Sequence, residues 1–363
     1  MCKRIQTATH STTHAPHPPP PPPPLFLSMP PTVYDLCEKS GFSIATVSRV
    51  FNGSSKVSDE ARRKVLAAAD ALGYSPSFAA RSLARKRSDL VGAIFPRMAS
   101  GFFADVLCGL DAAVKVGGFH LLTAFSHGAD DERELAERFV QQRLVGALIV
   151  MNFQLRNDFL ARLGKGGVPV VSLDGPSKNL SSVSIDNASG MRQLLEHVAA
   201  LGHRRLAVLP GRADAFDSNQ RLESCRAAAD SLGLEIPDGW CLPGGFTEAG
   251  GYEVVQSLLA RGARPTVIAA FNDLMAFGAI RALREAGLRV PEDVSVTGFD
   301  DIELAAPYNL TTVRVPMFEL GKIAGEAALA HLNGERKTIN RVVEPRLVRR
   351  GSSARASLSR HPS

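Results

Sequence analysis

Two periodicities divide the chain. In its first quarter the apolar positions recur at helical spacing in short blocks. Val33, Leu36 and Cys37 stand at i, i+3 and i+4, behind Thr32 and Asp35, which fit a capping box. Gly41 permits a sharp turn, and Ser43 is placed to cap a second helix through Val47, Val50 and Phe51 that ends at Asn52-Gly53. Ser58, followed by Asp59 and Glu60, opens a third helix with Val65, Ala69 and Leu72 inside and Gly73 at its end. Helix, glycine turn, helix and brace predict a helix-turn-helix unit over 32–76. Tyr74-Ser75-Pro76 breaks the pattern, and Ser77 is placed to cap a very short helix within 77–88.

From residue 89 the pattern changes to short apolar runs separated by longer amphipathic stretches. Strands are expected at 90–96, 119–125, 146–151, 168–174, 183–186, 205–210, 266–271 and 294–299. Helices are expected at 103–116, 131–143, 188–201, 220–232, 249–261 and 274–286. Repeated β-α-β with apolar strands predicts parallel sheets covered on both faces. At about 250 residues, two doubly wound sheets with a ligand cleft at their carboxyl ends fit better than one. The fold class is therefore a small all-α headpiece followed by an α/β core of two parallel-sheet subdomains. The expected core is 89–350, divided into 89–187 with 317–345, and 188–316, followed by a tail at 351–363.

Charge adds a partner. The net charge is +6, and residues 32–88 carry +5 of it, while 1–31 carry +2 and 89–363 sum to −1. A basic head on a near-neutral body points to a polyanion met by the head alone, nucleic acid before an anionic membrane surface. The head lacks the basic amphipathic helix with large aromatics that a membrane surface favours.

No apolar run is long enough to span a bilayer. Residues 1–31 pass from a polar stretch into prolines 18–24 rather than into the apolar core of an export signal. They read as a disordered extension. Met29, just before the first organised element, is the expected true start, with a real tail as the other reading. Five widely spaced cysteines without a C-x-x-C pair argue against a disulfide framework or zinc site. A cytoplasmic protein without metal or cofactor is expected.

The sharpest chemistry lies in 43–52. With Val47, Val50 and Phe51 inward, Ala45, Ser48, Arg49 and Asn52 face outward. Small polar side chains with one arginine suit a helix entering a major groove, where hydroxyls and amides hold phosphates and Arg reads guanine. An ordinary solvated face is the other reading.

The run from Thr32 to Gly53 closely resembles the headpiece of the LacI/GalR family of bacterial transcription regulators. The likeness continues through Leu72-Gly73-Tyr74-Ser75-Pro76, Phe271-Asn272-Asp273-Leu274-Met275-Ala276 and Val296-Thr297-Gly298-Phe299-Asp300-Asp301 to about Gly351. It implies that Ile44, Ala45 and Arg49 read base edges. Thr32, Ser43, Thr46, Ser48, Asn52 and Lys56 would hold the backbone. Ile44 also has core spacing to Val47, and Lys56 also reads as a free surface lysine. The resemblance further implies a hinge helix in the minor groove, using Ser77, Ala79 and Ala80 with Leu83 as the wedge. Without it, Leu83 reads as a buried linker residue.

The remainder resembles the family's effector-sensing core, itself similar to periplasmic sugar-binding proteins. The effector candidates that this implies are Phe102, Phe103, Asp174, Arg221, Phe246, Asn272 and Asp300. Carboxylates, amide and arginine can satisfy several hydroxyls while aromatics stack on a ring. Asp174 and Asp300 end apolar strands, where an acid also serves as a simple turn cap. Ser100-Gly101, Ser224-Cys225 and Val315 depart from common family residues and leave the effector open.

The expected protein is a homodimeric repressor. It binds a near-palindromic double-stranded operator and is switched by a sugar-like effector, with no catalytic residues. Residues 351–363 lack the heptads of a tetramerising coiled coil. A free solute-binding protein is the alternative. An enzyme using Asp300-Asp301 and His203 is a more distant one, since no nucleophile elbow, phosphate loop or metal cluster accompanies them.

Overall fold

The computed structural model describes residues 31–75, 88–96, 101–151, 157–175 and 179–356. The extension, Met29 and the hinge candidates Ser77, Ala79, Ala80 and Leu83 lie outside the described residues, as does Ser100. The chain divides into two compact units, Met1–Arg81 and Ser82–Ser363.

The first unit holds α1 (Val33–Ser40), α2 (Ile44–Phe51) and α3 (Asp59–Leu72). Its local signals act as expected. The Thr32 amide donates to the Asp35 carboxylate at 2.6 Å, and the Asp35 amide to the Thr32 hydroxyl at 3.4 Å, completing the capping box. The Ser43 and Ser58 hydroxyls accept from the Thr46 and Ala61 amides. Gly41 and Gly73 end α1 and α3 at positive φ, where glycine costs least. Leu36, Val47, Val50, Val65, Ala68 and Ala69 form a separate core, with Phe42, Phe51, Val57 and Tyr74 packed against it.

The second unit begins with β1 (Leu90–Pro96), α4 (Gly101–Val116), β2 (His120–Ser126), α5 (Ala129–Gln141) and β3 (Ala147–Met151). It continues through α6 (Asn157–Gly164), β4 (Val170–Leu173), β5 (Ser181–Ile185) and α7 (Asn187–Ala200). Next come β6 (Leu206–Leu209), α8 (Phe216–Leu232), α9 (Glu248–Ala260), β7 (Val267–Ala270), α10 (Asp273–Glu285) and β8 (Ser295–Thr297). The unit closes with β9 (Thr312–Arg314), α11 (Met317–Leu332), β10 (Asn340–Val343) and β11 (Arg346–Val348).

Six strands in the order β10-β5-β4-β3-β1-β2 form one all-parallel sheet, and β6-β7-β8 form a second. The antiparallel pair β9–β11 lies alongside. Buried on both faces, β3, β6 and β7 are continuous apolar runs, as parallel sheets require, and β4 is interrupted only by Ser172.

Late elements complete early ones. β10 adds an edge to the first sheet beside β5, and α11 packs against α4. The α4–α11 contact is backbone on backbone: a Cβ on Gly109 would lie 2.0 Å from the Phe318 carbonyl oxygen, and one on Gly321 2.0 Å from that of Val106.

The core also runs past its expected end at residue 350. The Val296 amide donates to the Ser352 carbonyl, the Ser352 hydroxyl to the Val296 carbonyl, and the Ala356 amide to Leu201. Ser352 carries no apolar signal, yet its carbonyl and hydroxyl satisfy Val296 on the outer edge of β8.

Candidate functional site

Two sites follow from this framework, one in each unit. In the headpiece, α2 buries Val47 and Val50 and turns Ala45, Arg49 and Asn52 outward, with Thr46 and Ser48 half-buried. Ile44 is 46% exposed, which excludes the core reading of that residue. Lys56 and Ser43 are exposed as well. The Ser43 and Thr46 hydroxyls lie 3.2 Å apart, and the Asn52 amide donates to the Ser48 hydroxyl. The polar face thus carries two hydrogen-bonded pairs, Ser43 with Thr46 and Ser48 with Asn52. Thr32 is exposed, with its hydroxyl engaged in the α1 cap.

Arg62, on α3, was not among the candidates. It donates to the carbonyls of Val50 at 3.4 Å and Ser54 at 2.9 Å, and so fixes the end of α2 and the turn after it. Only the folded contact between α3 and α2 reveals that role.

In the core, three polar candidates follow the ends of parallel strands. Asp174 follows β4 directly, Asn272 lies two residues after β7, and Asp300 lies three after β8. Arg221 projects from α8 and meets Asp300 and the carbonyl of Phe271, the residue before Asn272. Its Nε donates to Asn187 Oδ1 at 2.8 Å, and its Nη1 donates to the Phe271 carbonyl at 2.5 Å and to Asp300 at 3.4 Å. Nη2 lies 3.7 Å from Asp217, and the guanidinium sits 3.9 Å from the Phe299 ring centroid.

All of these charged groups are buried. Burial pushes Asp300 up to about 7 against the pull of Arg221. Asp174 is pushed well above the usual carboxylate range by burial and by the fields of Asp217 and Asp300, with Arg221 opposing. Burial also raises Asp217, again opposed by Arg221. Asp174 and Asp300 hold positive φ values of 58° and 106°, unusual for a non-glycine residue. Backbone strain at strand ends beside buried charge is a recurring mark of ligand sites.

The other candidates divide. Asn272 caps α10 through the Met275 amide and donates to the Phe246 carbonyl at 3.1 Å, so each end of its side chain already has one protein partner. Phe246 is buried at positive φ and fills the space where a side chain on Gly211 would stand. Phe102 and Phe103 are buried and pack edge-on against each other, and Phe103 also meets Phe95 in the core.

Asn187, Asp217, Gln220 and Asp273 join the cluster without having been singled out. The Asn187 amide donates to Gln220, and Asp273 accepts from the Ile302 amide and the Thr312 hydroxyl, pinning the loop that carries Asp300. The one signal available for Asp217 was its i, i+4 spacing to Arg221.

The acid–base combination imagined for an enzyme is not assembled. Asp301 is paired with Arg314 and Arg350. His203 precedes β6, at the opposite end of the second sheet from Asp300, and is held between Thr266 and the Ala354 carbonyl. Among the described residues no group of His, Cys, Asp and Glu is arranged to hold a metal ion, and no helix is long and apolar enough to cross a membrane.

Residues 32–77 match the family model of bacterial regulatory proteins of the lacI family, and 195–353 match that of a periplasmic binding protein-like domain. The chain is 32% identical over 329 residues to the HTH-type transcriptional repressor PurR of Photobacterium profundum, covering 88% of this chain and 98% of that protein. The chain belongs to the LacI family.

A second LacI-family relative, the transcriptional regulator GalS of Salmonella typhimurium, is 34% identical over 331 residues, covering 89% of this chain and 96% of that one. Among solved structures, the lac repressor dimer bound to operator and the anti-inducer ONPF superposes with a TM-score of 0.81 at 29% identity. It covers 90% of this chain and 99% of that one. A complex of the regulator CelR with cellobiose gives a TM-score of 0.68 at 30% identity, covering 89% and 100%. The LacI-family chain is a DNA-binding transcriptional regulator, which sets aside a free solute-binding protein, and its relatives are regulators rather than enzymes.

Proposed function

We propose that the chain acts as a homodimeric repressor whose grip on a near-palindromic operator is set by a small hydroxyl-rich effector. Two heads engage two half-sites. In each, α2 enters the major groove with Arg49 against a guanine and Ile44 and Ala45 against base edges. Ser43, Thr46, Ser48, Asn52 and Lys56 meet phosphates.

The observation that carries this reading is the division of α2, with Val47 and Val50 sealed into the headpiece core and Ile44, Ala45, Arg49 and Asn52 left outside. In the core, Arg221 with Asp174 and Asp300 forms the effector site. A ligand there engages strand ends of both sheets and so biases their relative position. Coupling of that kind is typically about 1–3 kcal/mol, or roughly 5–150-fold in operator affinity.

The test selects bound fragments from sheared genomic DNA at near-physiological salt, and then titrates the enriched site with Arg49→Ala. An enriched near-palindrome, and a loss of about 1–3 kcal/mol on it with a much smaller loss on random DNA, is the expected result. Equal losses on both would reduce Arg49 to a phosphate contact. No enrichment in the presence or absence of sugars would refute the operator-binding reading.

A further inference from the structure

We propose that the first sheet carries a second ligand site, at the end away from Asp174, which takes the phosphate of a small phosphate monoester between Lys165 and Arg336. The site is separate from the Arg221 cluster and does not depend on the reading of that cluster.

A cavity of about 520 Å³ opens where β4 and β5 begin, a volume that suits a small polar metabolite. Asp174 lies beyond the other end of β4, about 13 Å along the strand from Val170. Lys165 lines the cavity from the turn between α6 and β4, and Arg336 from the loop between α11 and β10. Segments far apart in sequence thus bring two like charges to one place.

Among the described residues neither side chain makes an ion pair or hydrogen bond, and no acid lines the cavity. The residues outside the described ranges include no Asp or Glu that could neutralise the pair. Asp158, whose side chain is not described, sits in the first turn of α6, about 10 Å of helix before Lys165. Glu335, next to Arg336, accepts the Lys337 amide at 2.8 Å. Helix ends do not account for both cations. A helix favours a cation in its last turn, but α6 already has Arg162 there, and Arg336 lies past the end of α11.

Arg336 is also held in place. The His331 ring donates from Nδ1 to the Glu335 carbonyl at 2.7 Å, and the Ile339 amide donates to the Ser181 hydroxyl at 2.8 Å. Both ends of the short loop bearing Arg336 and Thr338 are therefore fixed before a ligand arrives, which lowers the cost of binding. Ser181 is 2% exposed and lies 2.7 Å from His331 Nε2, so one buried hydroxyl ties α11 to β5 beneath the cavity.

Charge chooses the ligand. A phosphate monoester carries about −1.5 to −2 near pH 7, which matches two cations. Arg336 offers a planar fork, Lys165 a point charge and Thr338 a hydroxyl to its terminal oxygens. A carboxylate or a phosphodiester brings one charge and leaves the other cation unmatched.

The experiment is calorimetric titration of the full chain with inorganic phosphate, glycerol 3-phosphate, ribose 5-phosphate and glucose 6-phosphate. The unphosphorylated parents and dimethyl phosphate are titrated at the same ionic strength. At least one monoester should bind about 10-fold or more tighter than its parent and than dimethyl phosphate. Lys165→Gln combined with Arg336→Gln should weaken it by about 10-fold or more, and Arg336→Lys, which keeps the charge but not the fork, by less. Both positions are exposed, and a thermal melt confirms that each variant is folded.

Failure of every monoester to bind, binding undiminished in the double variant, or dimethyl phosphate bound as tightly overturns the proposal. Binding that survives the double variant but is lost in Asp300→Asn belongs to the Arg221 cluster and overturns it too. If no monoester binds, while the double variant weakens duplex DNA binding and lowers its salt dependence, the two cations hold nucleic-acid phosphates and the small-molecule site falls.

Discussion

Arg221→Met tests how much of the core depends on one buried cation. Methionine keeps most of the length and the apolar stem while deleting the guanidinium. Asn187 Oδ1 and the Phe271 carbonyl lose their donors, and Asp217 and Asp300 lose their counter-charge, all inside the protein. Removing one member of a buried ionic group costs about 3–5 kcal/mol, because the remaining charge is left unpaired. At about 2–4 °C per kcal/mol for a unit of this size, the core should melt roughly 6–20 °C lower.

Trp240 is the sole tryptophan and lies in the core unit beside Arg205, so its fluorescence in urea follows the core without the headpiece. The deficit should also depend on pH. Without Arg221, the already raised carboxylates move further above their unfolded values. A group raised in this way stabilises at low pH, and that contribution is lost as pH climbs toward its folded value. The gap between variant and parent should therefore widen from about pH 7 to 8.5, above the value at which the parent's Asp300 has given up its proton, and adding Asp300→Asn should recover part of it. A deficit below about 1 kcal/mol, or one unchanged across that range, would refute the reasoning.

Glu132 offers a second pH test: it is 2% exposed, its Oε1 has no partner among the described residues, and burial pushes it up to about 8. The parent should lose roughly 1.4 kcal/mol per pH unit from this group as pH rises between its unfolded value and about 8, and Glu132→Gln should flatten that slope; parallel stability curves would count against it. Gly321→Ala would place a methyl 2.0 Å from the Val106 carbonyl oxygen, so α11 and α4 must separate, at a cost of about 3 kcal/mol in urea unfolding. Arg62→Met removes two bonds to the carbonyls that end α2 and should speed amide exchange there and weaken operator binding, with Trp240 unfolding unchanged; unaltered exchange in α2 would show that the clamp is idle.

The headpiece was legible in the sequence because its signals are local. Thr32 with Asp35, Ser43, Ser58, Gly41 and Gly73 each act within a few residues of themselves. The parallel sheets were legible for a related reason, since strands buried on both faces must be apolar throughout. The core site was only half visible. Arg221 and Asp300 came from the family resemblance, while Asp217 was passed over because a helix expected at 220–232 in fact starts at Phe216. Its N-cap, Ala215, makes no side-chain cap, so nothing in the sequence marks the start. Asn187 and Asp273 bond to residues 33 and 39 positions away, and Arg221 to one 79 away, distances that no local pattern spans.

The late arrival of β10 has a consequence for how the protein is made. The headpiece has its own core within residues 33–74 and needs nothing downstream to close it. The first sheet opens at Leu90 but gains its outer strand only at residues 340–343, and α11 reaches α4 only shortly before that. At roughly 5–20 residues per second on the ribosome, the roughly 250 residues between them take about 12–50 s. Throughout that interval the nascent chain carries a finished headpiece tethered to a half-built sensor. A truncated product ending before Asn340 would retain the surface proposed to touch DNA while lacking a complete core to control it.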